Sequence, residues 1–194
     1  MPPTGIPLPA IRGRQGDREY FIVSVPNAIY LDFFTPLMDP EEPKEERAQR
    51  NLDTKRPKVI GEYILKNRSD YVLPTVVYAV EEGYTFTPDG EGSSTGVLFI
   101  PEGTNLRCLD GQHRRAGLAY AKGEDPDILE DHSSILIYVE PDIQRRRQMF
   151  SDMNSTTVKV DLYYNNSTGT SVPAELIQTI YRIKVSDRRS EEHT

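Results

Sequence analysis

The sequence predicts an α+β fold, a mixed sheet flanked by helices, and three observations carry that prediction. Short runs rich in β-branched and aromatic residues gather between about Val72 and Val139, separated by clusters of Gly, Pro, Ser and Thr. Segments with apolar residues at helical spacing stand on both sides of that block. With 194 residues, 37% of them hydrophobic and 27% charged, the chain is long enough for one domain with a real core and hardly for two.

In chain order, residues 1–16 are rich in Pro and Gly, and residues 1–18 are expected to form an extended N-terminal arm. Tyr20–Val25 alternates and is β-branched enough for a strand, which Pro26 ends. Ala28–Phe34 is a short apolar segment expected to be a packed helix. Pro36, Pro40 and Pro43 break the chain before a charged helix at Lys44–Leu52. Pro57 suits the first turn of a helix, and Val59, Ile60, Tyr63 and Ile64 give Val59–Asn67 one apolar face. Strands follow at Pro74–Val80, Tyr84–Thr87, Gly96–Pro101 and Asn105–Leu109, with a surface turn at Pro88–Thr95. Gln112–Lys122 carries Ala116, Leu118 and Ala119 at helical spacing, Ile135–Val139 reads as a buried strand, and Asp142 caps a helix through Arg145–Asn154. A last helix is expected at Ala174–Val185.

Composition narrows the function classes. The longest apolar stretches fall far short of the roughly 20 residues that cross a bilayer, and Met1–Pro7 lacks a charged-then-apolar signal pattern. One cysteine, Cys108, cannot make an internal disulfide, so a cytoplasmic, reducing compartment is expected. The net charge of −7 argues against a protein that simply coats nucleic acid. Local clusters of Arg and Lys keep DNA open: Arg12, Arg14 and Arg18; Arg47, Arg50, Lys55, Arg56 and Lys58; Arg107, Arg114 and Arg115; Arg145–Arg147.

Chemistry concentrates at Asp110-Gly-Gln-His-Arg114, where a strand runs straight into a helix. Gly111 permits the tight turn. The first backbone N–H groups of a helix have no intrahelical partner and favour an anion. Arg114 and His113 would add donors, Asp110 would cap the helix or hold a metal that accompanies a nucleotide, and Gln112 would orient a phosphate oxygen or a water. Ala116 and Gly117 would let the helix lie close against the sheet. The plainer reading is an ordinary cap-and-turn with a structural histidine, but the run of polar and glycine residues at this junction favours a site.

Asp110-Gly-Gln-His-Arg114 resembles the motif that names the DGQHR family, to which DndB belongs, and the resemblance extends in order from Ile11 to Asn154. It includes Ile11–Phe21, Arg47-Ala-Gln-Arg50, Ile60–Leu65 with Asp70-Tyr-Val72, and Met149–Asn154. The resemblance implies a DGQHR domain over residues 19–154. It also implies a negative transcriptional regulator of a DNA phosphorothioate modification gene cluster, bound to promoter DNA. The strand–turn–helix is similar to the nucleotide-binding corner of the ParB/sulfiredoxin superfamily, an analogy of fold alone.

The phosphate or nucleotide site is therefore expected from Asp110, Gly111, Gln112, His113, Arg114 and Asn154, with a nucleotide and Mg²⁺ as its ligand and no resident metal. DNA contacts are expected from Arg47, Arg50, Lys55 and Arg56, whereas Arg145–Arg147 reads as a solvated helix face and Met149, Phe150 and Met153 as core. The competing reading is an enzyme, a nucleotide phosphohydrolase or ParB-like phosphodiesterase using Asp110, Gln112 and His113. Against it stand the lack of a Walker-type segment and of a metal-ligand pattern among His113, His132 and His193. A protein-interaction subunit of the modification machinery is a third reading. Residues 155–194 are expected to be a divergent, truncated tail, and Arg189–Thr194 resembles a translated sequencing-adapter stretch without structural meaning. DndB-like chains continue further, and a homo-oligomer is expected of the full-length chain.

Overall fold

The computed structural model describes residues 4–35 and 55–156. Strands β1 (Gly5–Gln15) and β2 (Arg18–Pro26) form a hairpin, followed by helix α1 (Asn27–Phe33) and helix α2 (Arg56–Lys66). Strands β3 (Val76–Val80), β4 (Thr85–Pro88), β5 (Thr95–Pro101) and β6 (Leu106–Asp110) come next, then helix α3 (Gln112–Glu124). A 3₁₀ turn (Pro126–Leu129), strand β7 (His132–Val139) and helix α4 (Ile143–Thr156) complete the order. The seven strands make one sheet in the order β4-β5-β1-β2-β7-β3-β6, in which β3 and β7 run parallel and the other pairs antiparallel. The fold is α+β with a mixed sheet and flanking helices. The helices expected at Lys44–Leu52 and Ala174–Val185 lie outside the described residues.

Residues 5–15 are extended, but they are not an arm. They form β1, which lies inside the sheet between β2 and β5, so the sheet core begins at Gly5 and not near Val72. Two prolines disguise it. A proline has no N–H, and a strand tolerates one only where no ladder bond is needed. The Arg12 amide bonds the Ser94 carbonyl on the β5 side, so the even-numbered amides of β1 face β5 and positions 7 and 9 face β2. The register with β2 begins only at Ala10↔Val23, beyond both prolines, so Pro7 and Pro9 forfeit no bond there.

Alternation along the strands sorts the sheet into two faces. Leu8, Phe21, Val23, Tyr78, Leu98, Ile100, Ile135 and Ile137 point to one side, where they form a continuous core with Tyr30 and Phe34 around α1, Ile64 of α2 and Leu118 of α3. Tyr78 lies at its centre, fully buried, with edge-on contacts to Tyr30 and Phe34. Burial holds its hydroxyl well above the usual phenol range, so it stays protonated and donates to the Phe34 carbonyl at 3.0 Å. The opposite side carries a small cluster of Val77, Ala79, Leu109 and Met149. Met149 and the half-buried Met153 thus pack as α4 core, as their spacing predicts.

Asp142 caps α4 as expected, its Oδ1 accepting from the amides of Gln144 (2.7 Å) and Arg145 (3.1 Å). Those two bonds hold its carboxyl below the usual range. Arg146 is no part of a solvated face. It is 6% exposed, donates to the carbonyls of Glu140 (3.0 Å) and Pro141 (2.7 Å), and lies 3.2 Å from Glu81. A triple-Arg run looks like surface because a guanidinium needs several acceptors, and only the chain reversal before α4 brings those acceptors together.

Candidate functional site

The strand–turn–helix at residues 106–124 has the form the sequence indicates, with different roles inside it. β6 ends at Asp110 and α3 starts at Gln112, so Gly111 is the N-cap residue and Asp110 is not. Gly111 has φ +112°, a conformation L side chains avoid, and a Cβ there would fall 2.4 Å from Val76 Cγ1. The glycine is therefore required twice, by its torsion and by the close passage of β3. Gly117 also allows close approach, but toward α2 and not the sheet: a Cβ there would lie 2.5 Å from Ile60 Cγ2. Gly61 answers it from α2, where a Cβ would meet the Tyr120 ring.

Asp110 is free of the cap because it has another partner. Its Oδ2 accepts from Arg114 Nη2 at 2.8 Å, and the same Arg114 nitrogen lies 3.2 Å from the Thr75 carbonyl. Arg114 thereby joins the end of β6, the start of α3 and the residue before β3. Its charge is already matched by a carboxylate, which lowers what it can give an incoming anion. Arg115 turns the other way and donates to the Leu31 carbonyl of α1. Gln112 and His113 are half-buried in the first turn of α3. Asp110 to Arg114 are thus neighbours at one surface turn, neither sealed in the core nor stretched mid-strand. Asn154 falls on α4, and its side chain lies outside the described residues.

The basic groups divide in the same way. Arg47 and Arg50 lie outside the described residues, while Lys55 and Arg56 are exposed at the start of α2. Carboxylates stand against four of the arginines: Glu19 at 3.9 Å from Arg12, Asp17 at 2.8 Å from Arg14, Glu140 at 3.1 Å from Arg18, and Glu81 at 3.6 Å from Arg107. These arginines, which look basic in sequence, are matched by acids on a neighbouring strand or in the turns that adjoin the strands.

Sequence reasoning missed a second polar centre. Arg68, in the turn after α2, bridges Asp125 (2.9 Å) and Asp131 (2.6 Å), and Tyr71 donates to the same Asp131 oxygen at 2.7 Å. Burial first, then the bond to Asp131, pushes the Tyr71 hydroxyl up to about 12, which keeps it a donor. Tyr71 belongs to Asp70-Tyr-Val72, part of the family resemblance, and Arg68 precedes that segment by two residues, which was the only signal; their partners lie about sixty residues further on. Among the described residues no group of three or more His, Cys, Asp and Glu could hold a metal ion, and no helix is long and apolar enough to cross a membrane.

Against known proteins, one family model matches residues 8–181, that of DndB, described as DNA-sulfur modification-associated. No curated protein and no solved structure matches the chain.

Proposed function

Since the chain belongs to the DndB family of DNA-sulfur modification-associated proteins, we propose that it is a negative transcriptional regulator of its modification gene cluster and binds the promoter of that cluster. The single observation that carries this reading is the match over residues 8–181, which takes in the turn, most of the sheet and the basic residues proposed to contact DNA. Lys55 and Arg56, exposed where α2 begins, are the described part of the DNA-contacting set, and Arg47 and Arg50 complete it. Phosphate contacts of this kind position a protein on the duplex and give affinity that falls with salt.

The 110–114 turn would serve as the sensing element. Amides at the start of α3 offer an anion site, and a phosphate or Mg²⁺-nucleotide bound there, with Asn154 contributing, would compete with Asp110 for Arg114. Because Arg114 also touches the residue before β3, that exchange would bias two arrangements of the turn with different DNA affinity.

A gel shift on promoter DNA against scrambled DNA, repeated over a salt series, tests the regulator. Promoter-preferring binding is expected, and replacing Arg47, Arg50, Lys55 and Arg56 with Ala should weaken it by about 10-fold or more and flatten the salt dependence. Binding without promoter preference would overturn the reading.

A further inference from the structure

A cavity of about 460 Å³ opens between the 68–76 connection, the start of β7 and the inner side of α3. Of the 110–114 turn, Arg114 lines it. Its walls come from segments far apart in sequence and are braced by side chains. Arg68 holds Asp125 and Asp131 together, Ser133 Oγ donates to Asn27 Oδ1 at 2.6 Å, Asn27 Nδ2 donates to the Ile128 carbonyl at 2.9 Å, and Thr75 and Ser134 share a bond of 2.9 Å. A recess tied this firmly is formed before any ligand arrives.

Charge decides what it can take. Arg68 and Arg114 are its two guanidinium groups, and both are matched, Arg68 by Asp125 and Asp131, Arg114 by Asp110. Asp70 and Asp131 line the cavity, and Asp125 and Asp110 stand beside its two guanidinium groups as their ion-pair partners, so four carboxylates surround two guanidinium groups. A phosphate placed here would meet net negative surroundings. An uncharged ligand rich in hydroxyls would not: the Asp70 carboxylate accepts from hydroxyls, as carboxylates do with ribose, and Ser69 and Ser134 add further polar contacts. Leu73, Val76 and Leu118 give the same cavity an apolar wall that suits a flat ring. We infer that this cavity binds an uncharged nucleoside, with its sugar toward Asp70 and its base toward the apolar wall. The site shares Arg114 with the anion site proposed at the turn and is otherwise separate from it and from promoter binding.

Calorimetric titration of the whole chain with adenosine, guanosine, cytidine and thymidine, each against its 5′-monophosphate, tests this. At least one nucleoside should bind, with its monophosphate weaker by about 10-fold or more. Ser134, exposed at the rim, and Asp70, also exposed, can be changed without opening the core. Ser134→Tyr, with unchanged circular dichroism, should weaken nucleoside binding by about 10-fold or more, and Asp70→Asn should narrow the gap between nucleoside and monophosphate by about threefold. Failure of all four nucleosides to bind, monophosphates binding as tightly as nucleosides, or a natively folded Ser134→Tyr with unaltered affinity would each overturn the inference. The gel shift is unaffected by these outcomes, so the two readings fail separately.

Discussion

Adjacent residues of β2 live in different worlds. Phe21 is fully buried among Tyr84, Phe86 and the helices, whereas Ile22 beside it is 42% exposed on the opposite side of the sheet. The same division runs across the molecule. One side of the sheet is closed by α1, α2 and α3, and the other has α4 over β3 and β6, with Ile11, Ile22 and Val97 exposed among the described residues. A strand has two faces whatever its sequence, and what covers each face sets how much a side chain there is worth. More apolar surface is buried on the side closed by α1, α2 and α3, and substitutions at the exposed Ile11, Ile22 and Val97 of the opposite side are expected to cost less.

The largest test of that contrast is the pair itself. Phe21→Ala should cost about 3–5 kcal/mol in urea unfolding, because it removes a ring and leaves a cavity in a packed core. Ile22→Ala should cost less than about 1 kcal/mol. Equal losses at the two positions would mean that the exposed side is covered in solution. A smaller effect is expected of Met149→Ala, which removes the α4 contact with Val77, Ala79 and Leu109 and should cost about 2 kcal/mol, at the low end for a buried methionine because the cluster is small. If that substitution were silent, α4 would contribute no core.

The smallest effect is one of pH. Asp142 has a depressed folded-state pKa because two α4 amides donate to it, so its stabilisation is present above the unfolded value of about 4 and is lost as pH falls through the lower folded value. Acid titration followed by the helical circular dichroism signal should therefore lose α4 content in that window, and Asp142→Ala should lower the signal at neutral pH and flatten its acid response. An unchanged acid profile in the variant would remove Asp142 as the cap.

Much of this was legible in the residues. The strand–turn–helix at 106–124, the helix begun by Pro57, the cap at Asp142 and the alternation of Tyr20–Val25 all depend on neighbours within a few positions, where glycine torsion, proline geometry and side-chain period act directly. Less of the site was legible. That Arg114 faces Asp110 could be suspected from their four-residue spacing, but that it also meets Thr75 could not.

By itself the sequence determined the family, the α+β class and the place of the turn, since each is written in order and local pattern. Only the tertiary structure decided that β1 lies inside the sheet, that Arg146 is buried, and that Arg68 joins Asp125 to Asp131 beside a cavity. The reason is physical. A hydrogen bond or an ion pair depends on distance in space, and partners separated by dozens of residues meet only after the strands have taken their register.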